Sequence, residues 1–305
     1  MEDLALYLLW SGMVATGVAA VLYVVYVLQP VLRGLVAPRR VALTTAGPVG
    51  VGVGLGGSVG ARRSATLGGA ASLSAWTAVL IGGSGLVVRT LALDHAPFSN
   101  LFEYSTAFGF AITLAYVGAE RHFRTRLLGA FVMPVAAALY VSALAFPSEG
   151  QPVLVPALQN PTLLSIHVAL MILSYSVLAV AFGAAVMYLL QGDSGRRFAW
   201  LPTPARCDEL TYRAVLVGFP LLAAGVALGA FWANSAWGRY WGWDPKETAA
   251  LVTWLIFAVY LHTRGVRQLR GSRGAWIVVG GFMAVMFTYL GVNLWISGLH
   301  SYAGV

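Results

Sequence analysis

Residues 163–190 read LLSIHVALMILSYSVLAVAFGAAVMYLL, with no Asp, Glu, Lys or Arg anywhere in the stretch. A helix crosses the hydrocarbon of a bilayer with about 20 apolar residues. This run exceeds that length, and no polar face interrupts it. Similar runs lie on either side, at about Leu4–Leu28, Leu73–Leu93, Leu101–Ala119, Leu127–Phe146, Tyr212–Trp232, Thr248–His262 and Ala275–Ile296. The third and seventh are on the short side. Of the 305 residues, 59% are hydrophobic and 10% are charged, and the mean hydropathy is +0.77. Soluble domains carry about 25% charged residues, so this chain lacks the polar surface to coat a water-soluble core. The expected fold is an all-α polytopic integral membrane protein with about eight transmembrane helices.

Charge placement sets the expected direction of those helices. Sixteen of the nineteen Lys and Arg fall in the odd-numbered connections: Arg33, Arg39, Arg40, Arg62 and Arg63; Arg121, Arg124 and Arg126; Arg196, Arg197, Arg206 and Arg213; Arg264, Arg267, Arg270 and Arg273. Basic loops remain in the cytoplasm, which puts both termini on the extracytoplasmic side. The net charge of +8 thus serves topology. It forms no basic face, and no nucleic acid is expected as a partner. The first span opens on Glu2 and Asp3 and is too long for a signal-peptide core, so it is read as retained.

Three regions are expected: a first transmembrane helix over 1–30, a flexible Gly/Arg-rich cytoplasmic loop over 31–72, and a functional membrane domain over 73–305. The Gly-rich repeats at 50–57 follow no strand and read as loop rather than as a phosphate cradle. One cysteine, Cys207, excludes intrachain disulfides and dithiol chemistry.

The connection after the sixth span, residues 234–248, is the unusual one. It contains Trp237-Gly-Arg-Tyr-Trp-Gly-Trp-Asp-Pro-Lys-Glu247, four aromatics within seven residues on the outer side. An interfacial belt explains one or two tryptophans. Gly238 and Gly242, which let backbone approach a flat object, need a further reason. So do Arg239 and Lys246, the only basic residues of any outer loop. A planar aromatic ligand with acidic substituents accounts for all of them, since indole faces pack on its ring and cations pair with its carboxylates. Both readings stay open on the residues alone.

The pattern Trp-Gly-x-x-Trp-x-Trp-Asp-Pro-x-Glu resembles the tryptophan-rich "WWD" signature of the haem-handling superfamily of cytochrome c maturation. Trp237, Gly238, Trp241, Trp243, Asp244, Pro245 and Glu247 fill it. Within that superfamily the chain is most similar to the CcsA (ResC) type of System II cytochrome c synthetase subunits. The likeness runs from about Leu73 to the end and takes in 97–103 and 297–302.

This resemblance implies a cargo, haem b, and a set of iron ligands. The family's two external ligating histidines fall on His167 and His300, which the topology puts level with the tryptophan loop; haem iron takes one axial imidazole on each face. His262 lies 18 residues past Asp244, about 27 Å at 1.5 Å per helical residue, and is implied as an intramembrane ligand. The second ligand there belongs to a CcsB (ResB) partner. Trp237, Trp241, Trp243, Asp244, Arg239, Lys246, Gly238 and Gly242 complete the implied binding set. His95 is also external and could compete as a ligand, although the family assigns it no such role. His122 reads as solvated or touching headgroups. Arg89 either snorkels or pairs with Glu103 or a haem propionate, and Asp244 and Glu247 read as loop-orienting or helix-capping groups.

The implied activity is haem attachment to the Cys-x-x-Cys-His segment of apocytochrome c, at the outer face of a bacterial cytoplasmic membrane. Membrane lipid, the CcsB-type chain and the apocytochrome are the expected partners. Haem export without attachment is the alternative, and a purely structural membrane subunit is a third reading.

Overall fold

The computed structural model describes residues 1–36, 56–148, 161–195, 197–265 and 270–299. Among these, eight helices follow one another: α1 (Glu2–Val36), α2 (Gly56–Leu93), α3 (Leu101–Phe123), α4 (Gly129–Ala143), α5 (Pro161–Gln191), α6 (Pro204–Trp237), α7 (Pro245–Thr263) and α8 (Ser272–Trp295). Each coincides with one expected span. Five of them, α1, α2, α5, α6 and α8, are long and apolar enough to cross a bilayer. The chain is a multi-pass membrane protein.

The other three are shorter for visible reasons. α3 carries Glu103 in its first turn and Arg121 in its last. α7 has 19 residues. α4 has 15, about 22 Å of rise, and ends where Ala145 N–H and Phe146 N–H donate to carbonyls three residues back, Ser142 and Ala143. That 3₁₀ tightening closes the helix before the expected end at Phe146.

One boundary moves. The sequence reads as loop over 31–72, yet α1 continues to Val36 and α2 begins at Gly56. An apolar period reports a buried helix face; its absence does not oppose helix formation. Ala61, Arg62, Arg63, Ala65 and Leu67 are strong helix formers. Residues 37–55 lie outside the described residues.

In lipid no hydrophobic effect pulls helices together, so contacts depend on close van der Waals approach, small residues and polar links. α5 is the central helix, packing on α3, α4, α6 and α8. Its contact with α6 follows three glycines. A Cβ added at Gly218 would stand 2.8 Å from Leu178, one at Gly225 2.7 Å from Met171 Sδ, and one at Gly229 2.6 Å from His167 Cε1. Ser174 Oγ donates to the Gly218 carbonyl at 2.8 Å and pins the register.

Two polar clusters, the first part-buried and the second centred on a fully buried pair, join α1 and α2 to α3. Near one end Glu120 receives the hydroxyls of Tyr23 and Tyr116, each at 2.5 Å, and that of Ser72, with Arg126 at 3.6 Å; α1, α2 and α3 meet there. Near the other end Arg89 and Glu103 are both fully buried. Arg89 Nε donates to Glu103 at 3.0 Å, and its other nitrogens reach the Ser148 carbonyl at 2.7 Å and Glu2 at 3.5 Å. Glu103 accepts further from Ser99 N–H and Oγ. Of the three readings of Arg89, the structure shows the ion pair with Glu103.

Removing one member of a buried pair leaves the other charge uncompensated. Glu103→Ala is therefore expected to destabilise the protein by about 3–5 kcal/mol. The double variant Arg89→Met/Glu103→Leu should recover most of that loss, and denaturant unfolding of the purified protein in detergent measures both.

Candidate functional site

The first turns of α3, the N-terminal half of α5, the ends of α6 and α8 and the start of α7 surround one cavity. Its interior volume is about 130 Å³, and it opens to solvent at its mouth. His167, Trp232, Trp241, Lys246, Tyr104 and Tyr289 are among its lining residues.

His167 enters from α5. Gly229 gives its ring room, and Nδ1 donates to the Gly225 carbonyl at 2.7 Å. Because that carbonyl only accepts, Nδ1 carries a proton, so the neutral ring would have its lone pair on Nε2, as a metal-binding imidazole does. Trp232 lies parallel to the imidazole, 6° between planes and 6.3 Å between centroids. Trp237 meets Trp232 edge-on at 4.8 Å.

The loop from Gly238 to Asp244 is shaped by its backbone. α6 stops at Gly238, whose φ of 72° is left-handed and suits glycine, and whose N–H donates to the Asn234 carbonyl. Trp243 also has a positive φ, 55°. It projects outward, 69% exposed, with Trp241 edge-on at 5.8 Å. Arg239 lies across Gly242, where an added Cβ would stand 2.7 Å from its Nε.

Asp244 is the N-cap of α7 in a capping box: its carboxylate accepts from Glu247 N–H, and also from Lys246 N–H at 3.1 Å. Glu247 accepts from the N–H groups of Gly242 at 2.8 Å and Asp244 at 3.1 Å. The second oxygen of Asp244 accepts from Leu299 N–H at 2.6 Å, so the segment after α8 is held on the tryptophan loop. Burial pulls the Lys246 ammonium down to about 8, against the opposing pull of Asp244.

α8 contributes through a π-turn at Phe287–Gly291. The extra residue rotates the last turn of the helix by roughly 100°. Thr288, Tyr289 and Asn293 all line the cavity. Tyr289 stacks on Tyr104 at 5.4 Å and shares a hydrogen bond with Ser105, and Asn293 Nδ2 donates to the Tyr289 carbonyl at 2.5 Å. π-turns occur often at functional sites. Deeper in, the buried Tyr175 hydroxyl has no hydrogen-bond partner among the described residues.

The structure thus brings His167, Trp241 and Lys246 to one cavity. Trp237 stands behind Trp232, and Trp243, Arg239, Gly238, Gly242 and Asp244 form the loop beside it. His300 lies outside the described residues; Leu299 just before it is on Asp244. His262 sits exposed in the last turn of α7, away from this cavity. His95 does not line it; its Nδ1 is bonded to the Ala96 carbonyl at 2.9 Å. His122 is exposed beside Phe123. Sequence reasoning missed Trp232, Tyr104, Tyr289 and Asn293. For Trp232 a signal exists in the small-residue spacing Gly218, Gly225, Gly229, which marks the face of α6 that meets α5.

The site is thus an aromatic and imidazole-bearing cavity within a multi-pass helical bundle, and likeness to known proteins gives the class of protein that carries it. The model of the cytochrome c assembly protein family matches residues 98–300. Cytochrome c biogenesis protein CcsA of Chlamydomonas reinhardtii is 40% identical over 225 residues, covering 71% of this chain and 64% of that one. CcsA of Porphyra purpurea is 38% identical, with 70% and 81% covered, and that of Gloeobacter violaceus 36%, with 71% and 81%. Among solved structures, the cytochrome c haem lyase CcmF superposes with a TM-score of 0.60 at 22% identity; the match covers 94% of this chain and 46% of CcmF, and it shows a shared fold. The chain belongs to the cytochrome c assembly protein family, in its CcsA group, and its role is cytochrome c biogenesis.

Loss of an N-cap carboxylate costs about 1 kcal/mol. Asp244→Ala additionally frees Leu299, so hydrogen exchange should speed up at the Lys246 and Leu299 amides together, with the Gly242 amide held by Glu247 and much less affected. Unchanged exchange at Leu299 would show that the tail is held by something else.

Proposed function

We propose that the chain holds haem at the extracytoplasmic face and presents it for thioether attachment to the Cys-x-x-Cys-His segment of apocytochrome c, acting as a cytochrome c synthetase subunit beside a CcsB-type partner. The observation that carries this reading is the shared cavity: an imidazole with its Nδ1 proton committed to the Gly225 carbonyl, together with indoles and a partly enclosed cation. Those residues suit haem. His167 offers Nε2 to the iron from one side. The second ligand in this reading is His300, the other histidine that the family resemblance implies. Trp241 and Trp232 offer apolar faces to the macrocycle, and Lys246 and Arg239 supply cations for the propionates.

The odd-numbered connections face the cytoplasm in this reading, and His262, exposed at the far end of α7, ligates haem on its inward side together with the partner. At attachment, each thiol S–H adds across one vinyl group, the sulfur to one carbon and the hydrogen to the other; that chemistry belongs to haem and thiol. This chain contributes orientation and exclusion of water. The thiols must be kept reduced elsewhere, since Cys207 is the only cysteine and is buried.

Co-expression with a CcsB-type partner and a reporter apocytochrome tests the proposal. His167→Ala should lower covalent haem on the reporter at least tenfold and weaken the Soret band of the purified complex. Gly229→Ala, which crowds the imidazole, should do so partially, while Gly280→Ala, whose Cβ meets nothing within 4 Å, should not. Haem delivered outside but never linked would establish export in place of attachment.

Lys246 supplies a pH signature. Its ammonium is present below about 8 and is lost as pH rises through that value, so affinity for haem should fall between pH 7 and pH 9. A bound propionate opposes the loss by raising the lysine. Lys246→Arg stays charged throughout and should give a flat profile in equilibrium haem titrations.

A further inference from the structure

At the opposite end of the bundle, α3, α5 and α6 leave an open groove of about 890 Å³ counted to its mouth. Its floor is made of small or branched apolar residues, among them Ala115, Gly118 and Ala119 on α3, Val180 on α5, and Ala214 and Val217 on α6. Among the described residues, His122 and Arg213 are its only polar lining side chains, and both stand at the end carrying the basic connections. From Ala115 to His122 the groove follows two turns of α3, about 10 Å.

The charge around that end is unbalanced. Glu209 receives both Arg213, at 2.5 Å, and Arg206, at 3.2 Å. The neighbouring Asp208 is taken by Arg264 at 2.6 Å. Arg121, over the Trp76 ring, and Arg124 add two more cations at the end of α3. Arg206 also donates to the Phe123 carbonyl at 2.9 Å, which fixes the start of α6 to the end of α3 and keeps the rim in place.

We propose that this groove is a binding site for an anionic phospholipid, one acyl chain lying along Gly118 and the phosphate held at Arg213 and His122. An apolar channel at membrane depth, closed at its aqueous end by surplus cations, complements an amphiphile with an apolar tail and an acidic head. Basic pockets between membrane helices on the cytoplasmic side bind acidic headgroups in this way. A haem site would call for planar aromatic walls, and Phe123 is the only large aromatic ring among the lining residues described. The lipid bound here would brace α3 against α6, and the site is independent of the aromatic cavity and of the function proposed for it.

Native mass spectrometry of the full chain, titrated with phosphatidylglycerol or with phosphatidylcholine of the same acyl composition, tests this. The expected result is one retained phosphatidylglycerol, bound about tenfold more tightly than phosphatidylcholine. Gly118→Phe fills the groove from a position where an added Cβ meets nothing within 4 Å; it should abolish that binding and leave thermal unfolding unchanged. Arg213→Gln should bring the two lipids to near parity. Equal binding of both lipids by the unaltered chain, or undiminished phosphatidylglycerol binding in Gly118→Phe, would overturn the proposal. Haemin displacing the lipid one for one from the unaltered chain would overturn it as well by making the groove a haem site.

Discussion

The approach of α5 to α6 over Gly218, Gly225 and Gly229 is the constraint on which the rest of the cavity depends. Surrounded by lipid, two apolar helices gain little by meeting unless their surfaces fit closely. The glycines provide that fit, and each receives a particular partner: Leu178, Met171 and His167. Close approach also exposes the Gly225 carbonyl to the imidazole, so one contact sets both the position of His167 and the site of its proton. Trp232 depends on the same register, since it lies one turn beyond Gly229 and so faces the His167 ring.

The tryptophan loop is organised by its carboxylates rather than by its rings. Asp244 and Glu247 between them accept backbone N–H groups from Lys246, Glu247, Leu299, Gly242 and Asp244 itself. Negative charge at the start of α7 suits the helix dipole, and the same groups close the loop at one end and hold the segment after α8 at the other. The aromatic residues then take different places. Trp241 lines the cavity, Trp237 backs Trp232, and Trp243 projects outward. A motif that reads as a uniform platform in the sequence is thus a wall, a buttress and an exposed ring.

Legibility followed the physics of each feature. Apolar runs report membrane helices because the bilayer accepts few other elements, and all eight runs coincide with helices. The early start of α2 was hidden because helical turns without an apolar stripe leave no periodic trace. Arg89 could be placed near an interface but not assigned a partner, since its ion pair joins α2 to the first turn of α3 and reaches Glu2 on α1. Tyr104, Tyr289 and Asn293 were invisible for a related reason: they reach the cavity through a π-turn and a stacking contact between helices far apart in sequence.

The sequence alone determined the membrane-spanning class, the order of the helices and the tryptophan loop, because each is written in consecutive residues or in the spacing of one segment; His167 became a candidate only through the family resemblance those residues carry. Only the tertiary structure decided which indole stacks on the imidazole, which carbonyl holds its proton, that Lys246 is drawn into the cavity wall and that Leu299 rests on Asp244. Those are distances between helices, fixed by side-chain packing and buried hydrogen bonds that no local pattern encodes.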